Sequence, residues 1–328
     1  MVKIVDGINK RPKKQRIRQV RICLKYCKYA SVRRAALAAG YEVVNSTKSC
    51  DICWTDCSPN IKILLELKKW QKVNHFVGMN ELCRKDRLTR NINRMLKQFP
   101  TDYNFYPPTW CLPTEYSEFC KRVQRNCTYI FKPVDQSQGK GIFLTRHPLR
   151  DINIQTNGII QVYNQQPILL DNFKFDLRLY VLVTSYDPPT IFVYNEGLAR
   201  FATAPFEKLN DRNVSESFMH LTNYAIQKKS CQYIRDDSYS GSKRRFTLVL
   251  EQLKYQKSID TVKLLSMLDD LIIKTIIMPY TTLQHQYKAT FPNHTKASSA
   301  CFEILGFDIL LDQNAKPVLL EVSNLFSF

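Results

Sequence analysis

A chain of 328 residues, 44% of them hydrophobic, carries enough apolar material for two or three packed lobes and excludes a single small domain. Its 48 Lys and Arg against 29 Asp and Glu leave a formal net charge of +19, so the expected partner is a polyanion: nucleic acid, an anionic membrane or an acidic polypeptide. No apolar run approaches the roughly 20 residues that span a bilayer, and the N-terminus is too basic and interrupted for a signal peptide, so the chain reads as soluble and intracellular.

In chain order, KRPKKQRIRQVR (residues 10–21) holds seven basic residues and almost nothing that enters a core. Residues 1–19 therefore read as a basic, mobile arm, either a solvated tail or localisation signal or a binding arm. From Val20, VRICLKY has strand character, SVRRAALAAGY reads as a helix closed by Gly40, and DICWTD as a second strand, giving an N-terminal α/β lobe over residues 20–74. Cys50, Cys53 and Cys57, with Cys23 and Cys27 upstream, hint at zinc, but no second pair at ribbon-like spacing follows. Eleven scattered cysteines without a secretion signal favour buried free thiols instead.

A central lobe is expected over residues 75–180 and a C-terminal lobe over 181–328, with the proline-rich Pro107–Pro113 stretch as a connection between lobes. The central lobe opens with one helix from Asn80 to Phe99, its apolar face drawn by Leu88, Ile92, Met95, Leu96 and Phe99 and its stop by Pro100. Arg84, Arg87, Arg90, Arg94 and Lys97 form a cationic stripe on the other side, either a solvated face or a contact for an acidic partner. YIFKPVDQSQGKGIFL then reads as strand, turn, strand, with Lys132 ending the first strand and Gly139-Lys140-Gly141 entering the second. Glycines let backbone amides approach phosphate oxygens, and flanking lysines supply charge; the turn fits neither a P-loop nor a Rossmann fingerprint.

In KFDLRLYVLV, strand alternation sends Phe175, Leu177, Leu179 and Val181 to one face and Lys174, Asp176, Arg178 and Tyr180 to the other. Two cations and a carboxylate on one face suit a polyphosphate with its metal, or an exposed edge. The final stretch, FDILLDQNAKPVLLEVSNLFSF, repeats the theme. A loop over Gln313–Lys316 places Asp308 opposite Glu321, Leu310 opposite Leu319 and Asp312 opposite Pro317. Opposed carboxylates repel unless a cation lies between them, and Mg2+ is held by one or two carboxylates together with substrate phosphates; the alternatives are a shared proton or a lysine salt bridge.

CWTDC, KVNHFVGMNELCRKDRLTRN, PPTWCLP, KP followed by QGKGIFLTR, KFDLRLYVLV, HLTNYAIQK, and CFEILGFDILLD with PVLLEV occur in this order from about Val20 to the C-terminus. Together they resemble the tubulin-tyrosine-ligase-like family of ATP-grasp ligases, and in particular its glutamate-adding members. The resemblance implies an α/β (α+β) ATP-grasp fold that holds its nucleotide between central and C-terminal lobes. It implies an ATP- and Mg2+-dependent enzyme that phosphorylates a glutamate side chain in an acidic tubulin tail and joins free L-glutamate to it through the acyl phosphate.

On that resemblance, Lys132, Gln138, Gly139 and Lys140 hold the ATP phosphates, and Gln161, Val162, Tyr163 and Asn164 form the adenine hinge. Lys174, Phe175 and Asp176 complete the nucleotide pocket, with Arg178 as a further phosphate ligand and Thr222 and Asn223 beside ATP. Arg200 acts in catalysis and binds a substrate carboxylate, Lys243 is a candidate for the incoming glutamate, and Asp308, Glu321 and Ser323 take the metal. The implied setting is cytoplasmic and cytoskeletal, with cilium axoneme or basal body as further places, tubulin as partner, no nucleic acid or membrane bound, and a monomer. One departure stands out: the family motif reads Glu-Val-Asn where this chain has Glu321-Val322-Ser323, and a hydroxyl reaches less far than an amide carbonyl. Family members also continue where this chain stops, so the last lobe is expected to be incomplete. The alternative reading is therefore a catalytically impaired member that binds microtubules or nucleotide without ligating.

Overall fold

The computed structural model describes residues 18–235, 239–292 and 299–324. The proposed basic arm lies outside them except for Arg18 and Gln19.

Three sheets organise the described residues. Strands β1 (Arg21–Tyr26), β2 (Glu42–Val44), β3 (Ile52–Thr55) and β4 (Lys72–Val73) form a parallel sheet in the order β2-β1-β3-β4. The helix Ala30–Ala38 makes the first crossover, and Gly40 follows it at φ +76, the left-handed conformation that ends helices readily only at glycine. Cys23, Cys50 and Cys53 pack together here as buried thiols, whereas Cys57 is exposed.

Strands β5 (Thr109–Leu112), β6 (Tyr129–Pro133), β7 (Phe143–Thr145) and β8 (Gly158–Val162) form an antiparallel sheet in the order β5-β8-β6-β7. Strands β9 (Leu169–Leu170), β10 (Phe173–Tyr186), β11 (Pro189–Phe201), β12 (Lys243–Arg245), β13 (Glu303–Leu311) and β14 (Pro317–Asn324) form the third, in the order β12-β11-β10-β13-β14 with β9 against β10. The mixed α/β class holds. The lobe boundary expected at residues 180 and 181 does not, because it cuts through the continuous strand β10.

The main core lies on one face of the third sheet. Phe175, Leu177, Leu179, Val181 and Val183 of β10 meet Leu305, Phe307, Ile309 and Leu311 of β13, covered by residues of the helices Phe246–Lys257 and Thr261–Ile277. This is the apolar side read from alternation, and it leaves the charged side of β10 facing the second sheet. The first sheet is fastened to the third by buried polar contacts: His75 Nδ1 lies 2.9 Å from Glu303 Oε1, and the Phe76 N–H donates to Glu303 Oε2 at 2.9 Å.

Two expectations need correcting. The helix expected from Asn80 to Phe99 is two helices, Asn80–Cys83 and Lys85–Gln98, because Arg84 is extended (φ −91, ψ 128) and serves as the N-cap residue of the second. The break places Asp86 in a first turn, where a carboxylate is favoured, and Asp86 pairs with Arg84 and Arg90 while Glu81 pairs with Arg87. The cationic stripe is thus partly neutralised by its own neighbours.

In the last hairpin Asp308 does face Glu321, but Leu310 faces Val318 and Pro317 faces Leu311. The loop is one residue longer than expected because Asp312 closes it, its Oδ1 accepting from the N–H groups of Asn314 and Lys316 at 2.9 and 2.8 Å. A β-bulge between Asp308 and Ile309 absorbs the odd residue at Leu320.

Candidate functional site

The charged face of the third sheet and the hinge strand β8 enclose a cleft. Lys132, Gln161, Val162, Tyr163, Asn164, Lys174, Asp176, Arg200, Thr222, Asn223, Asp308 and Glu321 line it, and each was a candidate from sequence. A second cleft is lined by Gln138, Gly139 and Ser323 and shares Ile142, Asn223, Leu320 and Glu321 with the first. Glu321 therefore sits where the two meet.

Each charged group has a structural reason for its place. Lys132 ends β6 with its ammonium buried, donating to Gln161 Oε1 at 2.9 Å and directed at the Leu320 carbonyl at 3.5 Å, which the bulge turns towards it. Burial lowers its pKa to about 8, against the opposing pull of Glu321. Lys174 is buried more completely in effect: its pKa falls to about 7, despite Asp176 nearby. Both lysines are thus cations held out of water, the condition under which an arriving anion gains most.

Arg200 is the centre of a buried network. It donates to Asp176 through Nε at 2.7 Å and Nη2 at 2.5 Å, and its Nη2 lies 2.7 Å from Asp308 Oδ2. Thr222 Oγ1 donates to Asp176 at 2.7 Å. Arg178 grips Asp308 from the other side with both Nε and Nη2. Gly306 makes this reach available, since a Cβ there would stand 2.9 Å from Arg178 Nη1. Burial raises the Asp308 pKa, but Arg178 and Arg200 outweigh it and hold the carboxyl well below the usual range. Glu321, directly across, goes the other way: burial and then the Asp308 charge push its pKa up.

That asymmetry is the fit test for a divalent cation. Two carboxylates lie on one face, Asp308 held low by two arginines and Glu321 pushed up by burial and then by the Asp308 charge; a hard cation between them offsets that repulsion. Ser323, opposite Gly306, shares this face, with its hydroxyl 3.5 Å from the Gly306 carbonyl. Asn324 does not stand in for it, since its side-chain oxygen accepts from the Cys83 thiol. Among the described residues no group of three His, Cys, Asp or Glu side chains is placed to hold a metal; the two carboxylates and the hydroxyl on this face are oxygen donors of the kind Mg2+ shares with phosphates. The glycine turn is close by: Gly139, at φ +80, lies against the segment after Thr222, and a Cβ on it would stand 3.3 Å from Asn223 Oδ1 and 2.5 Å from Ile226 Cδ1.

Three candidates are placed differently from expectation. Phe175 is in the core, stacked on Phe201 with ring centroids 5.1 Å apart, because it falls on the apolar side of β10. Arg178 holds Asp308 rather than lining either cleft. Lys140 is exposed and lines neither. Lys243 pairs in register with Arg200, and its ammonium lies 3.5 Å from the centroid of the Tyr224 ring.

Residues 63–325 match the profile described as the tubulin-tyrosine ligase family. The chain belongs to that family. It is 47% identical over 324 residues to tubulin polyglutamylase TTLL13 of Mus musculus, covering 98% of this chain and 40% of the relative. It is 48% identical over 309 residues to tubulin polyglutamylase ttll6 of Danio rerio, covering 94% and 39%. It is 40% identical over 289 residues to tubulin polyglutamylase TTLL7 of Xenopus tropicalis, covering 86% and 32%. The chain thus spans about two-fifths or less of the length of these curated relatives.

For a tubulin-tyrosine ligase family chain, several lining residues escaped the sequence reading. His220 sat inside a quoted motif, HLTN, but only its Thr222 and Asn223 were assigned; a histidine in an otherwise apolar turn was the available signal. Leu320 gave none, because regular alternation conceals a bulge. Ile130, Ile142, Leu221 and Leu310, which form the apolar walls, read as ordinary core residues.

Proposed function

We propose that this chain is the ligase core of a tubulin polyglutamylase, which uses ATP and Mg2+ to add glutamate to glutamate side chains in acidic tubulin tails. The observation that carries the reading is the meeting of buried lysines, Arg200 and the Asp308–Glu321 pair where two clefts join, in a chain akin to proteins named tubulin polyglutamylases. In this reading the nucleotide lies between the antiparallel sheet and the six-stranded sheet, which correspond to the central and C-terminal lobes of an ATP-grasp fold. The acceptor carboxylate takes the γ-phosphoryl group, releasing ADP, and the amine of free glutamate then displaces phosphate.

Lys132 and Lys174 would meet the phosphates and base, with Gln138 and Gly139 at the phosphate turn and Gln161 to Asn164 along the hinge. Asp308 and Glu321, with Ser323, would hold Mg2+, which when bound offsets the charge that develops on phosphate oxygens. Arg200, with Lys243 beside it in register, would receive a substrate carboxylate. The basic balance of the chain fits a polyanionic partner, and kinship with proteins named tubulin polyglutamylases makes that partner an acidic tubulin tail, in a cytoplasmic, cytoskeletal setting with the cilium included. No helix among the described residues is long and apolar enough to cross a membrane.

Calorimetry with ATP, with and without Mg2+, and glutamate incorporation into tubulin test the reading; a protein that binds no ATP refutes it. The lysines add a sharper expectation. Their pKa values of about 8 and about 7 mean that the ligand-free protein at pH 8 has already released part of these protons. A polyphosphate raises both, so binding at pH 8 takes up roughly one proton or more and at pH 6 almost none. Calorimetric enthalpies in two buffers of different ionisation enthalpy read that number, and affinity weakens as pH rises through this window. Ser323→Asn restores the longer-reaching amide oxygen and is expected to lower the Mg2+ concentration needed for half-maximal activity several-fold, about the effect of one hydrogen bond or ligand contact. An unchanged Mg2+ titration would show that Ser323 is no deficient ligand.

A further inference from the structure

His220 is buried at 1% exposure, lines the first cleft and takes no part in the chemistry proposed above. Its two ring nitrogens have different partners. Nε2 lies 2.9 Å from the Asn213 carbonyl oxygen, which can only accept, so Nε2 carries the hydrogen. Nδ1 of the neutral ring is then an acceptor, and it lies 3.0 Å from the Tyr163 hydroxyl, which therefore donates. With its proton committed, the Tyr163 oxygen accepts from Lys174 Nζ at 3.0 Å. A second Lys174 N–H donates to the backbone carbonyl of His220 at 2.7 Å. The direction of every bond in the chain Lys174 to Tyr163 to His220 to Asn213 follows from the single acceptor at its end.

We propose that His220 is a positioning residue for the nucleotide: through Tyr163 and through its own carbonyl it fixes two N–H bonds of Lys174 and leaves the third aimed at a ligand acceptor in the cleft. The inference rests on the reading of the cleft as a nucleotide site. Several observations support it independently of sequence. Lys174 has no other hydrogen-bond partner among the described residues, so its ammonium depends on this pair. Its Nζ lies 4.5 Å from the centroid of the Tyr163 ring, so the same tyrosine contacts it through both π face and hydroxyl. Burial pushes the His220 pKa down to about 4, which keeps the ring in the neutral form the chain requires. The arrangement also ties the hinge, through Tyr163, to the loop that carries Asn213, so one histidine aligns two walls of the cleft.

Five proteins test this: the wild type, His220→Phe, Tyr163→Phe, the double variant, and His220→Asn as the conservative change that keeps an acceptor near the Nδ1 position. Each single Phe variant is expected to weaken ATP binding roughly tenfold or more, the range for a hydrogen bond to a charged group. The double variant is expected to be little worse than either single one, because both break the same chain. His220→Asn is expected to retain most of the affinity. Competitive acetic anhydride labelling, read by mass spectrometry across pH, follows Lys174 itself, and its titration is expected to move to lower pH in both Phe variants, because Tyr163→Phe removes one acceptor of the ammonium and His220→Phe removes the acceptor that holds the Tyr163 proton away from Lys174. Tyr163→Phe removes one oxygen and keeps the ring, so it guards against a misfolded His220 variant. A Lys174 titration that stays in place in both variants, or losses of ATP affinity that simply add in the double variant, would overturn the proposal. If the wild type binds no ATP, the nucleotide reading fails and the Lys174 titration alone decides the role of His220.

Discussion

Replacing Glu321 by Gln is expected to abolish glutamate transfer while leaving the fold intact. Glu321 lies directly across from Asp308, at the junction of the two clefts, and its pKa is raised by burial and by that neighbour. An amide has the same shape and removes a buried charge that faces Asp308, so thermal stability should change little. A metal loses far more, since a neutral amide oxygen replaces a full negative charge and only Asp308, already shared with Arg178 and Arg200, remains. Loss of a group that neutralises charge in the transition state costs about a hundredfold to a thousandfold in rate. Glutamate incorporation measured at saturating ATP, with Mg2+ titrated, separates the cases: a rate near wild type at ordinary Mg2+ would remove Glu321 from the metal site and with it the functional reading.

Much of this site was legible because a strand forces its side chains to alternate. Once KFDLRLYVLV is read as β10, Lys174, Asp176 and Arg178 must share a face, and once the last two strands pair, Asp308 and Glu321 must share one as well. What stayed hidden depends on contacts distant in sequence or on small irregularities. The bulge at Leu320 shifts half of the last hairpin, and its cause is the side chain of Asp312 closing a longer loop. Arg178 could be put on the right face but not on its partner, because only the packing beside Gly306 shows that it lies along β13 towards Asp308. Phe175 was legible from the same alternation that placed Lys174, which sends it to the core; inclusion with its charged neighbours followed a motif rather than the geometry. The break at Arg84 left no trace in the apolar pattern, because the residues that draw the helical face, Leu88 to Phe99, all lie beyond it; at the break Asp86 pairs with Arg84.

The largest effect on stability is expected from Arg200→Met. Arg200 is the cation shared by two buried carboxylates, and Met keeps its approximate volume without the charge. Asp176 would retain the Thr222 hydroxyl and Asp308 would retain Arg178, so neither loses every partner. Removing one member of a buried ion network nonetheless costs about 3–5 kcal/mol, because the remaining charge is stranded in low dielectric. At 2–4 °C per kcal/mol, that is a fall in Tm of roughly 10 °C. The pH dependence tells this mechanism from simple loss of packing. In the wild type the Asp308 pKa is depressed, so its contribution to stability is present above the unfolded carboxylate value and is lost as pH falls through the folded one. Without Arg200 the depression shrinks, so less of that contribution remains to be lost, and the stability gap between variant and wild type should hold from pH 7 to about 4 and narrow as pH falls further, below the unfolded carboxylate value. Asp176→Asn introduced into Arg200→Met should recover part of the loss at pH 7, since it removes one stranded charge. A gap that is constant across pH and indifferent to Asp176→Asn would mean that Arg200 acts as a spacer, and that the Asp308 charge is fixed by Arg178 alone.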